Sequence, residues 1–365
     1  MRLLLAIVVL AQSLVVTIAL AARLPLEKLG MSEPFYSKNL NVVWSAPTNH
    51  LPSTVRVFKV VPSKYSPVVI SNLMALGEFT ERDRVKAFVP EYPLPRSALG
   101  YLKEAEKRSL SIAPNLGLVR YRDEKAEAAI HPREPVEGLP DDGESVRLAL
   151  MILPRLGIDL SDLAAKADGV GPCFSIGPGS RGYFDRAKGK YVKEETLRRV
   201  SFTRQLDGLP IVGGGRQGID VTFGNHGRIS ELVMNWRSVE HVGSYPCAGR
   251  EQMIGWIREG RARVQSMETT GARWVKASDI KRLTITAISP QYFAGGSEER
   301  LDRMHPYAML KAEAEIGTDD KETIWLFCPV TAEGLNRPSR KSDGFCVYPG
   351  AFNERLARTS EATTN

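Results

Sequence analysis

Gly213-Gly214-Gly215-Arg216-Gln217-Gly218 satisfies G-x-G-x-x-G, a spacing that suggests cofactor chemistry. In a dinucleotide-binding fold those glycines open a helix whose N-terminal amides hold a pyrophosphate. Here the next residues are Ile219-Asp220-Val221-Thr222-Phe223, alternating and partly β-branched, so a strand is expected where the helix should begin. Without a helix dipole nothing is aimed at a phosphate, and the glycines read as turn and bulge residues. No cofactor is expected. Gly179-Ser180-Arg181-Gly182 fails in a similar way as a nucleophile elbow, because Pro178 stands at the first glycine position.

The five histidines are His50, His131, His226, His241 and His305. No two stand four apart and H-E-x-x-H is absent, so no metal site or local triad is expected. Asp141-Asp142 reads as a helix cap and Asp319-Asp320 as a loop. A catalytic site would have to be assembled from distant residues, with His226 or His305 beside carboxylates. That exported hydrolase is the alternative reading, and no catalytic residue is assigned. Trp236-Arg237 offers a cation–π ligand platform, weighed against a Trp that closes the sheet core with Arg outside. Together with Arg204 and Arg228 these two residues are the expected partner-binding positions.

Four cysteines, Cys173, Cys247, Cys328 and Cys346, all lie in the second half, with no C-x-x-C spacing. In an oxidising compartment they are expected to pair as Cys328–Cys346 and Cys173–Cys247, with buried free thiols as the alternative. The compartment is argued from the other end of the chain. Met1-Arg2 supplies a short positive region, Leu3 to Ala22 is almost wholly apolar, and Ala19-Leu20-Ala21 has a small-x-small pattern. Residues 1–21 therefore read as a signal peptide, with retention as a signal anchor as the alternative. The expected location is secreted or extracytoplasmic, with membrane contact only through that segment if it is uncleaved.

These residues are positioned by a chain of 365 residues, 43% hydrophobic and 25% charged, with 31 Gly and 23 Pro: globular and rich in turns. The net charge of +7 is spread without a block of like charges or an aromatic-interleaved basic stripe, so no nucleic-acid partner is expected. Residues 22–41 read as a linker. Thr54–Val61 is a strand, and Ser66-Pro67 caps a helix carrying Val69, Leu73 and Leu76 that stops at Gly77. Arg96–Lys107 is expected to be helical, and Ser109–Asp123 a hairpin turning at Pro114-Asn115-Leu116-Gly117.

The proline-bearing stretch 128–140 is the expected boundary between an N-terminal module, 42–137, and a C-terminal one, 138–350, with 351–365 a disordered tail. Asp142 is expected to cap a helix stopped by Pro154, and Ser161 a short helix through Ala167. Gly169–Gly182 is expected to be a loop. Glu251–Val264 shows helical spacing, Leu283–Phe293 is a strand whose regular part ends at Pro290, and Thr323–Val330 reads as a central strand with Gly344–Gly350 as hairpin partner.

Between Arg199 and Val239 the pattern is strand, glycine turn, strand, Asn225-His226-Gly227 turn, strand. Arg204–Gly213 (R-x-L-D-G-L-P-I-V-G) followed by Gly218–Ile229 resembles PepSY-type domains, and is similar to the propeptide region of thermolysin-type proteases and to YycI-like regulators. The resemblance implies a small antiparallel sheet packed on a helix, and an exported non-catalytic role in restraining a peptidase or modulating a signalling protein. Leu76-Gly77 and Leu156-Gly157, and Asn115-Leu116-Gly117 and Asn225-His226-Gly227, also form two short similarities in the same order, as a distant duplication would. The expected class is thus α+β, antiparallel β-sheets packed with helices in two PepSY/cystatin-like modules. The expected function is an envelope binding or regulatory protein with a protein or peptide partner.

Overall fold

The computed structural model of the chain describes residues 35–37, 39–47, 51–86, 98–127, 136–166, 169–185, 189–212, 217–268, 273–293, 303–317, 320–332 and 344–347. The segment expected to direct export, the tail 351–365, His50 and His131 lie outside the described residues. The class is α+β with strands predominating, and the sheets are mainly antiparallel.

β1 (Asn41–Trp44) and β2 (Thr54–Val61) come first. Helix α1 (Pro67–Leu76) begins as expected: the Ser66 hydroxyl accepts from the Val69 amide, Pro67 occupies the first turn, and Leu73 is buried. β3 (Arg84–Lys86), β4 (Leu99–Lys103), β5 (Arg108–Ala113) and β6 (Leu118–Asp123) follow as antiparallel neighbours. The helix expected over 96–107 is instead β4 and a turn, with Arg96 and Ser97 outside the described residues. Register places Tyr101 opposite Leu110 in the core, and that packing overrides the helical propensity of the Leu-Lys-Glu-Ala run. The 109–123 hairpin forms as expected.

Helix α2 (Asp142–Ile152) is capped by Asp141, not Asp142; the Asp141 carboxylate accepts from the Glu144 amide at 2.8 Å. The α-helix ends before Pro154 as expected, and a following 3-10 turn, Leu153–Leu156, closes on Gly157 in left-handed backbone, φ 75. The next short turn, Leu160–Asp162, is capped by Asp159 instead of Ser161. Residues expected as a loop then form most of β7 (Phe174–Asp185), paired with β8 (Lys190–Thr203). β7 is the last strand of its sheet, and an edge strand tolerates Pro178 because one side needs no ladder partner.

β9 (Gln205–Leu206) and β10 (Leu209–Val212) close a hairpin on Asp207-Gly208. β11 (Gly218–Phe223) and β12 (Ile229–Asn235) flank the Asn225–Gly227 turn, and β13 (Ser238–Pro246) follows. Helix α3 (Arg250–Arg258) buries Met253, Ile254, Trp256 and Ile257; Val264, expected on the same stripe, belongs to β14 (Arg263–Glu268). The remaining strands are β15 (Arg273–Lys276), β16 (Ile280–Phe293), β17 (Arg303–Met304), β18 (Pro306–Ile316), β19 (Asp320–Pro329) and β20 (Gly344–Val347).

The chain divides into two compact units, Val60–Glu240 and Met1–Lys59 with His241–Asn365. The boundary expected at 128–140 falls within the first of these, where β6 and β12 on its two sides are hydrogen-bonded neighbours. The Val60–Glu240 unit is an eight-stranded antiparallel sheet in the order β3-β4-β5-β6-β12-β11-β8-β7. α1 precedes one outer-to-centre set of four strands and α2 the other, and the last strand of each set, β6 and β12, meet in the middle. One sheet face packs on the helices through Leu73, Tyr121, Ala149, Leu153, Val200 and Leu232.

In the other unit β14, β19, β18 and β16 are neighbours in that order, and β1 adds to β16 in parallel. Ile324 to Val330 are all buried, as a central strand requires. β16 continues through Pro290, which stands opposite Ala308. β20 pairs with β15 and not with β19, so the hairpin expected between Thr323–Val330 and Gly344–Gly350 does not form.

Candidate functional site on the eight-stranded sheet

Gly213 to Arg216 lie outside the described residues, and the strand expected after the glycine run is β11. The last glycine of the motif has a packing reason. A Cβ at Gly218 would lie 2.1 Å from the Phe202 carbonyl oxygen of β8, so only glycine admits this approach of the two strands. Gln217 beside it is buried, donating to Asn235 Oδ1 at 3.1 Å and accepting the Arg237 amide at 3.3 Å. These are structural contacts of a sheet end.

Arg204 and Arg237, expected as partner-facing, are 6% and 3% exposed. The Arg204 guanidinium carbon lies 4.5 Å from the Trp236 ring centroid, and its Nη1 donates to the Arg237 carbonyl. The cation–π contact over Trp236 is therefore made by Arg204, and it is an internal one. The Trp236 carbonyl accepts from the Ser63 hydroxyl at 2.8 Å, which fixes the same corner from a third element. Burial pushes the Arg204 guanidinium down to about 10, with Asp162 and Tyr65 opposing that shift.

The charge of Arg204 is thus held at a cost, offset by the ring and one carbonyl. Arg204→Met, which keeps length and apolar contact, is expected to unfold within about 1 kcal/mol of the parent. Arg204→Ala, which leaves a void under Trp236, is expected to lose about 2–4 kcal/mol. Urea titration of both reads the difference, and equal losses would show that the charge itself is required.

Arg228 is the exposed member of the expected set. Its Nη2 lies 2.5 Å from Asp123 Oδ2, and the same oxygen receives Arg108 Nε at 3.1 Å. Asp123 Oδ1 accepts from the Lys125 and Ala126 amides, and the whole residue is 1% exposed. Arg228 thereby ties the β11–β12 turn to the ends of β5 and β6. His226 sits exposed at that turn in left-handed backbone, φ 57, with its amide donating to the Glu137 carbonyl at 2.6 Å. His305 is buried in the other unit, so the two histidines proposed for a hydrolytic site belong to different units. Among the described residues no group of three or more His, Cys, Asp or Glu is placed to hold a metal.

Cys173, Cys247 and Cys328 stand as free thiols. The side chain of Cys346 lies outside the described residues. Cys328 is fully buried in β19, where burial pushes its thiol well above the usual range.

The exposed face of the 200–239 sheet, expected as the contact surface, continues across β6 and β5. Register aligns Leu110, Tyr121, Leu232, Val221 and Val200 across β5, β6, β12, β11 and β8 on the core face. The neighbouring row, on the opposite face, is Ser109, Arg122, Glu231, Thr222 and Arg199. Glu231 joins Arg120 at 3.3 Å and Arg199 at 3.8 Å, and Arg199 Nε donates to Thr222 Oγ1 at 3.4 Å. Arg122 is held by Glu127 at 3.1 Å. Alternation in Leu118–Asp123 carries this signal, but only the strand pairing shows that five strands contribute to one polar row.

No protein-family model matches the chain, and no curated protein matches it. An uncharacterized protein from Eubacterium rectale is similar in structure, with a TM-score of 0.44 and 8% identity, over 83% of this chain and 92% of that one. No helix among the described residues is long and apolar enough to cross a membrane.

Proposed function

We propose an exported, non-catalytic binding or regulatory protein of the cell envelope, which meets a protein or peptide partner on the outer face of the eight-stranded sheet. The carrying observation is the row Ser109–Arg122–Glu231–Thr222–Arg199, a cross-strand lattice of donors and acceptors backed by a wholly apolar row. Such a face offers fixed charges of both signs, which suit a polar partner surface and set register more than raw affinity.

Export rests on Leu3–Ala22, cleaved after Ala21 or kept as an anchor. A PepSY-like origin is supported by the order of elements. Each helix precedes four strands of the sheet, with the β9–β10 hairpin inserted in the second set, and the Asn115-Leu116-Gly117 and Asn225-His226-Gly227 turns each join the last two strands of a set. The two modules are then residues 67–123 and 142–235, packed into one sheet.

A photo-crosslinking residue at Arg199 is expected to give a discrete adduct in the native host, lost when Arg122→Glu is added. The same residue at Ser71, exposed on α1, is expected to give none. Equal capture from both positions refutes the face, and hydrolytic turnover abolished by His226→Ala refutes the non-catalytic reading.

A further inference from the structure

The hairpin at one edge of the sheet is long: β7 and β8 run for 12 and 14 residues. Only Arg198–Thr203 of β8 pair with β11, so Lys190–Leu197 have β7 as their one strand partner among the described residues. At about 3.3 Å per residue this two-stranded ribbon extends roughly 25 Å past its inner neighbour. A two-stranded ribbon of that kind is by itself marginal in water.

The end of the ribbon carries its most exposed apolar groups. Phe184 and Tyr191 form a directly opposed pair, 59% and 70% exposed. A Cβ at Gly182 would lie 2.6 Å from the Tyr191 ring, so the ring lies flat across the ribbon and presents its other face outward. Lys193, opposite Gly182, and Lys190 are exposed and make no ion pair among the described residues. Of the neighbouring carboxylates, Glu194 is held by Arg181 at 2.9 Å and Glu195 by Arg198, while Asp185 stands across from Lys190.

We infer that the end of the β7–β8 ribbon docks on an anionic lipid surface, with Phe184 and Tyr191 entering the headgroup layer and Lys190 and Lys193 meeting lipid phosphates. Amphipathic aromatic rings favour that layer, and unpaired lysines are drawn to its negative potential. Water remaining in the interface satisfies the free backbone edge, which a hydrocarbon interior could not. The charge complementarity is what selects lipid over a neutral apolar partner.

Amide hydrogen exchange of the full chain, read at residues 183–193, tests this whether or not the N-terminal segment also inserts. Vesicles of phosphatidylcholine with phosphatidylglycerol are expected to slow exchange there, and vesicles of phosphatidylcholine alone to leave it unchanged. Lys190→Glu with Lys193→Glu is expected to weaken the protecting interaction about tenfold or more. Phe184→Ser with Tyr191→Ser is expected to abolish it without moving the unfolding midpoint. If a variant fails to fold, raising salt from about 0.1 M to about 1 M on the parent chain serves instead, and protection should fall. Unchanged exchange with anionic vesicles overturns the inference. So does protection by soluble polyglutamate in place of vesicles, which would assign the tip to an acidic polypeptide.

Discussion

Asp123→Ala is expected to lower the stability of the Val60–Glu240 unit by about 3 kcal/mol. The carboxylate is buried and receives two guanidinium groups and two backbone amides, so its loss releases contacts from β5, β6 and the β11–β12 turn together. The figure sits at the low end for a broken buried pair for two reasons. Arg228 is 42% exposed and can re-solvate, and Arg108 keeps Glu78 at 3.2 Å and Glu106 at 2.9 Å. Asp123→Asn keeps an acceptor for the amides and should cost about 1–2 kcal/mol. Chemical unfolding at neutral pH measures both. Losses under about 0.5 kcal/mol would mean that the turn is held by its backbone bonds alone.

Gly218→Ala is expected to cost about 3 kcal/mol, the upper range for forced overpacking. The added methyl would point at a backbone oxygen of β8, and β11 cannot retreat because β12 holds its other side. A flexible side chain could move aside; a strand hydrogen-bonded along its length cannot. Thermal unfolding is the measurement, and a variant as stable as the parent would contradict the close approach of β8 and β11.

The contrast between legible and illegible segments follows from where each rule operates. Ser66-Pro67 and Gly117 were readable because a cap hydroxyl, a proline and a left-handed turn act within a few residues. β4 was not, because what makes Leu99–Lys103 a strand is Leu110 across from Tyr101, and propensity alone favours a helix. β7 goes against the composition argument, since glycine weakens a strand and proline removes a ladder donor, losses that an edge strand such as β7 tolerates best, and edge position is a property of topology. The site was misplaced for a related reason. Arg204 and Arg237 look like surface cations in sequence, while the sheet end encloses them and gives Arg204 a ring and a carbonyl in place of water. The polar row on the outer face could be seen as alternation within each strand, but not as one surface.

The parallel pairing of β1 with β16 sets an order of events in time. Ser45 bonds to the Ile285 carbonyl across 240 residues of sequence, and the Val60–Glu240 unit lies between the two strands. Closing so long a loop adds little to the equilibrium cost, because that cost grows only logarithmically with length. It weighs far more on the rate, since non-local strand pairing is slow. A chain made from its N-terminus completes the Val60–Glu240 unit first, while β1 waits for residues that have not yet been synthesised. During that interval β1, the first strand among the described residues, has no partner for Val42 and Trp44, and it is among the last to find its place.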